Sequence, residues 1–264
     1  MKNFVCFVLL AITGIATAQD AMIPVKLLNS SKAGPEHYIG TDSYGWQYTV
    51  LDNELRKEKN GRMLKFKALS LGNIYRADLQ NPLQVILFYR KFNTVVLLDN
   101  QMNETSRVNF SDIPQPIIAE AVGLASQNRL WAYDITTQQV GLYDLAKGNF
   151  RTLAPPFNDG IKYYQNDYNY FYWVDNANNW YAVNLFGKVS TLGKLPEFDQ
   201  VQIVSPQSVL YSKDGVIFHF DPAMSKGTRI AIVEKSFGSF YYAAEILSIF
   251  TEHEIIYYQL TLRK

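Results

Sequence analysis

The sequence predicts an all-β protein, a single β-propeller with six blades, and three observations lead to this fold class. A phrase of similar length recurs along most of the chain, its strand-like runs are rich in β-branched and aromatic residues, and an isolated apolar segment precedes the first repeat. The chain has 264 residues, which is enough to bury such a core within one domain.

The amino terminus predicts export from the cytoplasm. An apolar run over residues 4–15 follows Lys2 and precedes small residues suited to a cleavage site. This run is shorter than the ~20 apolar residues that a transmembrane helix needs. We therefore expect a signal peptide over residues 1–18, a single propeller domain over residues 19–264, and no membrane span. Cleavage would also remove Cys6, the one cysteine of the chain.

The charge balance argues against a nucleic-acid partner. The full chain has 25 Lys and Arg residues against 24 Asp and Glu residues, so removal of Lys2 leaves 24 of each sign. A nucleic-acid binder needs a clustered basic excess to neutralise phosphates, and no such cluster is present in the sequence. An aromatic content of 14% also excludes a disordered chain.

The repeat is marked by strands that end in Asp or Asn. The marks are Asp52, Asp99, Asp144, Asn184 and Asp221, at spacings of 47, 45, 40 and 37 residues. A four-stranded propeller blade occupies ~40–45 residues, so each mark predicts one blade. A turn residue that tolerates positive φ follows each mark, and another strand follows the turn. These turn residues are Gly61, Asn103, Gly148, Gly187 and Gly227.

The segment Ile117 to Ala125 is the best helix candidate in the chain. Its alternate positions, from Ala119 through Ala121 and Gly123, carry small residues that would share one face of a strand. Ala and Glu also favour helix. We expect a strand, and an innermost one, because blades crowd together near the propeller axis.

The two ends of the chain complete the blade count. Residues 237–264 contain three strand-like runs and no fourth. These runs are Ser239–Ala244, Ile246–Thr251 and Glu254–Leu262. The isolated apolar segment Met22–Leu28 would supply the fourth strand and close the ring, which removes an exposed sheet edge. Five marks and this composite blade give six blades; a seventh within residues 29–44 and an irregular β-sandwich are the alternatives.

Motifs for catalysis, metal binding or cofactor binding are absent from the sequence. His37, His219 and His253 are each solitary, without the spacing of a metal site, and we expect His219 to face a blade interface. Residues 175–179 resemble a calcium loop, but Ala177 replaces a required ligand, so a hairpin turn fits better. The recurring acidic strand ends are expected to cap turns. We therefore expect no enzyme and no cofactor.

Residues 163–173 contain seven aromatic residues in eleven positions. Two-residue alternation would place Tyr168, Tyr170 and Tyr172 on one strand face and Phe171 with the following Trp on the other. A buried blade strand accounts for most of this segment. The remaining aromatic side chains would suit recognition of either a protein or a sugar.

Residues 81–104 resemble a known family. The segments Asn81–Leu83, Leu87–Tyr89 and Phe92–Glu104 are similar to the exported β-propellers of Bacteroidetes-type bacteria, and among these to the Plug components of the type 9 secretion system. The resemblance implies a non-enzymatic subunit in the periplasm, peripheral to the outer membrane. It also implies partners: a large outer-membrane β-barrel translocon, whose periplasmic opening the subunit would plug, and its associated subunits.

Four residues are candidates for the interface with that partner: Phe88, Tyr89, Phe92 and Asn93. The loop that contains the last two is expected to expose Phe92 beside charged residues. A periplasmic glycan- or peptidoglycan-binding propeller is the alternative function. A propeller lyase or hydrolase is a further alternative, which would need acidic and His residues around the axis, whereas a channel lined by Ala, Gly, Val and Ser would argue against it.

Overall fold

The chain folds as a six-bladed β-propeller in a computed structural model that describes residues 22–34, 36–234 and 236–262. Six antiparallel sheets of four strands each make up the fold. The predicted signal peptide over residues 1–18 lies outside the described residues. No described helix has the length and apolar character needed to cross a membrane.

Blades 1 to 3 follow the chain in order. The first strand of the chain, β1 (Lys26–Lys32), belongs to blade 6. Blade 1 consists of β2 (His37–Thr41), β3 (Gln47–Leu51), β4 (Glu54–Lys59) and β5 (Arg62–Phe66). Blade 2 consists of β6 (Arg76–Asp78), β7 (Val85–Tyr89), β8 (Thr94–Leu98) and β9 (Glu104–Asn109). Blade 3 consists of β10 (Ala119–Ala125), β11 (Arg129–Asp134), β12 (Gln139–Asp144) and β13 (Asn149–Thr152). A short 3₁₀ turn, Arg90–Phe92, joins β7 to β8.

Blades 4 to 6 complete the ring. Blade 4 consists of β14 (Tyr163–Asn166), β15 (Tyr170–Val174), β16 (Asn179–Asn184) and β17 (Val189–Lys194). Blade 5 consists of β18 (Gln200–Ser205), β19 (Ser208–Lys213), β20 (Val216–Asp221) and β21 (Lys226–Arg229). Blade 6 consists of β22 (Ser239–Ala243), β23 (Ile246–Phe250), β24 (Glu254–Gln259) and β1 (Lys26–Lys32).

The amino-terminal strand closes the last blade, as predicted. Strand β1 pairs antiparallel with β24 as the outermost strand of blade 6. The strand begins later than predicted, because the residues before it bind blade 5: Ile23 N–H donates to the carbonyl of Arg229 at 2.8 Å, and Ala231 N–H donates to the carbonyl of Ile23 at 2.9 Å. Residues 29–44 supply the end of β1 and all of β2, so they form no seventh blade.

The first repeat mark is out of phase with the other four. Asp99, Asp144, Asn184 and Asp221 each follow or end the third strand of a blade, whereas Asp52 follows the second strand of blade 1. Asp52 and Asn53 form a two-residue hairpin turn in which both have positive φ, 49° and 63°. Asp and Asn suit that turn as well as the later one, which is why the two positions look alike in sequence.

The segment Ile117 to Ala125 contains a strand, as predicted. Strand β10 is the first strand of blade 3, and it contacts β7 of blade 2 and β14 of blade 4. Such contacts identify it as an innermost strand. The aromatic segment is a hairpin rather than one strand: it forms β14, a turn at residues 167–169, and β15. Tyr168 therefore lies in a turn and does not share a strand face with Tyr170.

Aromatic side chains fill the space between blades. Between blades 3 and 4, Tyr133 stacks on Phe157 at 4.9 Å between ring centroids, Phe157 on Trp173 at 4.7 Å, and Trp173 on Tyr181 at 5.1 Å. Trp131 and Phe171 are fully buried in the same interface. Large rings bury much apolar area with few rotatable bonds, so they hold neighbouring blades at a defined distance.

Candidate functional site

The first strands of the blades surround a polar cavity, which we call the central channel. Its volume is about 520 Å³, and it is lined by the first strands of blades 1, 2, 4, 5 and 6 together with residues beside them. Residues of β10, the first strand of blade 3, do not line this cavity. The channel is therefore five-sided, although the propeller has six blades.

Side chains of blade 2 reach across β10 to blade 4 and so cover blade 3. Asp78 Oδ2 accepts hydrogen bonds from Leu124 N–H of β10 and from Asn166 Nδ2 of β14, both at 2.8 Å. Arg76 Nη1 donates to the carbonyl of Tyr164 at 2.9 Å. These bridges exclude β10 from the channel wall.

The small residues of β10 make room for these bridges. A Cβ at Gly123 would lie 2.0 Å from Oδ1 of Asn166, a separation that real Cβ atoms do not adopt. We expected crowding between blades near the axis, and here the crowding comes from a side chain of blade 4. Gly123 thus allows Asn166 to meet Asp78 above blade 3.

Side-chain amides join the first strands of successive blades. Gln165 Nε2 donates to the carbonyl of Ile203 at 2.7 Å, and its Oε1 accepts from the N–H of the same residue at 3.1 Å. Gln202 binds both backbone groups of Tyr242 in the same manner, at 2.7 and 2.8 Å. Sequence reasoning missed these amide bridges, since a glutamine in a strand has no distinguishing local pattern.

The channel is lined by polar and aromatic groups, unlike the small apolar lining considered from the sequence. Tyr38, Tyr75, Tyr163 and Tyr241 contribute rings and hydroxyl groups, and Arg76 contributes a guanidinium group. Burial is the main cause that raises the pKa of the Tyr163 hydroxyl. This hydroxyl donates to Gln165 Oε1 at 2.8 Å, so its oxygen remains open as an acceptor and its ring as an apolar surface.

The two carboxylates of the channel are already committed to structural hydrogen bonds. Asp42 accepts from the N–H groups of Tyr44 and Trp46 and from the hydroxyl of Tyr48, at 2.9 to 3.0 Å. Asp78 is held from both oxygens, since its Oδ1 accepts from Gln80 N–H at 2.9 Å in addition to the contacts above. Neither geometry provides the free acid and base that hydrolysis would require.

The histidines form no shared site with acidic residues in the described part of the chain. His37 lines the channel mouth. His219 Nε2 lies 2.9 Å from Ser208 Oγ within blade 5, and burial lowers its pKa. No group of three or more His, Cys, Asp or Glu residues suited to a metal ion occurs among the described residues.

Acidic strand ends cap turns, as predicted. Asp99 Oδ1 accepts from the N–H groups of Gln101 and Asn103, each at 2.8 Å, and a side-chain hydrogen bond from Asn103 is the main cause that lowers the pKa of Asp99. The calcium-like segment is also a hairpin turn: Asp175 Oδ1 accepts from the N–H groups of Ala177 and Asn179.

The four predicted interface residues have different environments. Phe88 and Tyr89 are buried within β7 and offer no surface in this conformation. Asn93 is half-buried and joins blades 2 and 3, since its Nδ2 donates to the carbonyl of Ile117 and its Oδ1 accepts from Ala119 N–H at 2.9 Å. Phe92 is 48% exposed on the 3₁₀ turn. Among the four, Phe92 alone presents a large apolar surface.

Phe92 belongs to a group of exposed apolar side chains on one face of the disc. Connections after the second and fourth strands of each blade lie on the same face, which we call the long-loop face. Five exposed residues on the connections of blades 1 to 3 form what we call the apolar loop patch. They are Leu69, Tyr75, Phe92, Ile118 and Ile135.

Local contacts place the members of this patch near one another. A Cβ on Gly72, in the connection that carries Leu69, would lie 3.3 Å from the Phe92 ring. Ile135 N–H donates to the carbonyl of Ile118 at 3.0 Å. The guanidinium of Arg90 lies 4.0 Å from the centroid of the Tyr75 ring and pairs with Glu120. Apolar groups with paired charge between them are characteristic of protein interfaces.

No protein-family model matches the chain, and no curated protein matches it. Solved structures do match, and the three described next are 10–12% identical to this chain. One is virginiamycin B lyase from Staphylococcus aureus, with 12% identity over 93% of this chain and 97% of that chain and a TM-score of 0.59. Another is the Cps50 (Swd1) β-propeller domain of Myceliophteria thermophila, with 11% identity over 90% and 100% of the two chains and a TM-score of 0.60.

A chain of the Mitotic Checkpoint Complex is also similar, with 10% identity over 91% of this chain and 87% of that chain and a TM-score of 0.58. The three neighbours include an enzyme and proteins of other kinds. Likeness at this level of identity establishes the propeller fold and nothing about activity, since one fold hosts many functions.

Proposed function

We propose that the protein is a non-enzymatic periplasmic subunit that binds and plugs the periplasmic opening of the type 9 translocon in the outer membrane. Two lines support this proposal. Residues 81–104 resemble the Plug family, and the β-propeller carries an exposed apolar patch on one face. The apolar loop patch is the observation on which the proposal chiefly rests.

The patch has the composition of a docking surface. Leu69 is 88% exposed and Phe92 48% exposed, so both side chains leave apolar area in water that a partner would bury. Burial gains ~25 cal/mol per Å² of apolar surface. Aromatic anchors surrounded by polar groups typically carry most of the affinity in interfaces of moderate size. An interface of that kind can be released when the translocon must open.

A plug must also keep its shape, and the ring closure supports this requirement. Strand β1 completes blade 6 by pairing with β24, and amide bridges join the first strands of blades 4, 5 and 6. The hydrogen bond from Arg76 to the carbonyl of Tyr164 joins blades 2 and 4. These contacts favour a rigid disc that obstructs a wide pore as one body.

The first test is recovery of the partner from gently solubilised envelopes. We expect the wild-type protein to co-purify with a large outer-membrane barrel, and the double variant Leu69→Ser/Phe92→Ala to lose it. Phe186→Ala is the matched control, because Phe186 is 92% exposed on the opposite face, in the turn after β16. A barrel that stays bound to the double variant, or a monomer that recovers no barrel, would overturn the proposal.

The second test is envelope permeability. Deletion of the protein should admit large solutes only in cells that contain the translocon, because the open pore is then the leak. Unchanged permeability in cells with the translocon would contradict obstruction. This test separates a plug from a subunit that binds the same barrel without closing it.

A glycan-binding propeller is the second candidate, and the hairpin between β14 and β15 favours it. Tyr168 and Tyr170 are exposed there, and the rings of Tyr170 and Tyr172 stack with centroids 5.8 Å apart. Exposed tyrosine rings can stack on sugar rings. This candidate predicts retention on glycan beads that is lost in Tyr170→Ala, without recovery of a barrel.

A further inference from the structure

Arg76 is a cation on the channel wall that forms no salt bridge with a described residue, although Asp78 lies in its electrostatic surroundings. Its Nη1 donates to the carbonyl of Tyr164, and the guanidinium lies 4.1 Å from the centroid of the Tyr164 ring. No carboxylate of the described residues lies within 4.0 Å of its nitrogens. Two other cations flank the same end of the channel, and both form salt bridges: Arg90 pairs with Glu120, and Lys162 pairs with Glu197.

The two carboxylates and the bridging glutamine amides of the channel already accept hydrogen bonds. Asp42 and Asp78 accept backbone and side-chain donors, and the Oε1 atoms of Gln165 and Gln202 accept from neighbouring blades. Among the described residues, Nη1 is the nitrogen of Arg76 that forms a well-aligned hydrogen bond, and the Tyr163 hydroxyl also lies beside the guanidinium. The guanidinium of Arg76 therefore has donor capacity left over, which an anionic acceptor would complement.

The surroundings of Arg76 define the rest of such a ligand. Tyr75 precedes Arg76 in the sequence, and Tyr163 lies across the channel in blade 4. Tyr38 and Tyr241 line the same cavity. Its volume of about 520 Å³ falls within the ~300–1,000 Å³ typical of small-molecule sites. The planar guanidinium fork suits a carboxylate, whereas tyrosine rings and hydroxyls suit the carbon faces and hydroxyls of a sugar.

We propose that Arg76 and the tyrosines around it bind the carboxylate of a sugar acid in the central channel. The ligand would enter from solvent, with its carboxylate on the free edge of the guanidinium and its ring between tyrosine side chains. This inference goes beyond the plug proposal and does not depend on it, because Tyr75 is the one residue that the channel lining shares with the apolar loop patch, and Arg76 lies outside the patch.

The experiment is a calorimetric and NMR titration of the purified mature chain with three probes: glucuronate, glucuronamide and glucose. Glucuronamide keeps the shape of glucuronate without its charge. We expect glucuronate to bind. The two neutral probes should bind at least about tenfold more weakly, since a charge-assisted hydrogen bond is lost. Equal binding of glucuronate and glucuronamide, or no binding of glucuronate, would overturn the proposal.

Variants locate the site. Arg76→Gln should abolish the preference for glucuronate over glucuronamide, whereas Arg90→Gln should leave it unchanged, because Arg90 already pairs with Glu120. A preference that survives Arg76→Gln would contradict the assignment. Circular dichroism checks that each variant is folded; if Arg76→Gln is not, the wild-type comparison of the two probes and the conservative Arg76→Lys variant decide. Arg76→Lys should weaken glucuronate binding, because it keeps the charge and loses the fork.

A uronate-terminated oligosaccharide distinguishes the two sources of this chemistry. Tighter binding of the oligosaccharide than of free glucuronate supports the site and assigns it to a polymer end. Equal affinity supports the site and assigns it to the free acid. Failure of the plug tests would leave these results unaffected, so the two proposals can fail separately.

Discussion

The side-chain amide of Gln202 in β18 forms two hydrogen bonds with the backbone of Tyr242 in β22, one with its carbonyl at 2.7 Å and one with its N–H at 2.8 Å. The two strands belong to different sheets and have no ladder between them. The amide supplies one donor and one acceptor, as a neighbouring strand would. Gln165 does the same between blades 4 and 5, so these glutamines extend backbone pairing across the gaps between blades.

Gln202→Ala should lower the free energy of unfolding by about 1–3 kcal/mol, because it leaves a backbone donor and acceptor without partners. Urea denaturation at neutral pH measures this change. Gln207→Ala is the control, since Gln207 is exposed in the turn between β18 and β19, and should change stability by less than about 0.5 kcal/mol. Equal effects of the two variants would show that the amide bridge contributes nothing.

Gly123→Ala should destabilise the fold by about 1–3 kcal/mol through overpacking. The new methyl group would meet Asn166 and displace it from Asp78. Gly238→Ala is the matched control, because its Cβ would meet only a carbonyl oxygen at 3.7 Å, an ordinary contact. Thermal unfolding of both variants tests the point, and a neutral Gly123→Ala would show that Asn166 can move at no cost.

Tyr89→Phe should leave stability unchanged or raise it by about 1 kcal/mol. The hydroxyl of Tyr89 is buried without a hydrogen-bond partner in the described chain, so its removal relieves a desolvation cost. Tyr48→Phe provides the contrast, since the buried hydroxyl of Tyr48 donates to Asp42 at 3.0 Å. That variant should lose about 1–3 kcal/mol. Urea denaturation compares the two, and a reversed order would contradict this assignment.

Stability should fall steeply as the pH rises from 10 to 12. Burial raises the pKa of Tyr89, Tyr164 and Tyr258 to about 12, from the ordinary value of 10.0. In this window the unfolded chain releases tyrosine protons that the native chain retains, so the stabilisation present below pH 10 is lost with increasing pH. Urea midpoints across this range measure the effect. Tyr89→Phe should reduce the slope of unfolding free energy against pH by the contribution of one proton. An unchanged slope would contradict the raised pKa of Tyr89.

Asn93→Ala should destabilise the contact between blades 2 and 3 by about 1–3 kcal/mol, because both hydrogen bonds of its amide to the start of blade 3 are lost. Asn93 also has a positive φ of 50°, which alanine adopts at a cost. Asn93→Gly removes the amide and tolerates this φ, so it should be less harmful than alanine. If glycine is as harmful as alanine, the backbone angle contributes little and the amide accounts for the loss.

The architecture was largely predictable from local sequence. Alternating apolar residues and Asp- or Asn-containing turns recur at blade spacing, and both signals arise from interactions within a few residues of the chain. The unmatched three strands at the carboxyl terminus also predicted closure by the amino-terminal strand. The phase error at Asp52 has a local cause, since the same turn chemistry suits the hairpins after the second and third strands.

Local sequence patterns were sufficient to predict the six-bladed propeller, the capped turns and the composite last blade, because strand periodicity and turn chemistry involve residues close together in the chain. The three-dimensional arrangement was needed to show which side chains face the channel and that Phe88 and Tyr89 are buried while Phe92 is exposed. It was also needed to show that Arg76 bonds the carbonyl of Tyr164 and forms no salt bridge with a described residue. These features depend on residues as far apart as Arg76 and Tyr164, which meet only because the ring closes. The residue pattern of a single strand does not predict contacts between residues so far apart in the chain.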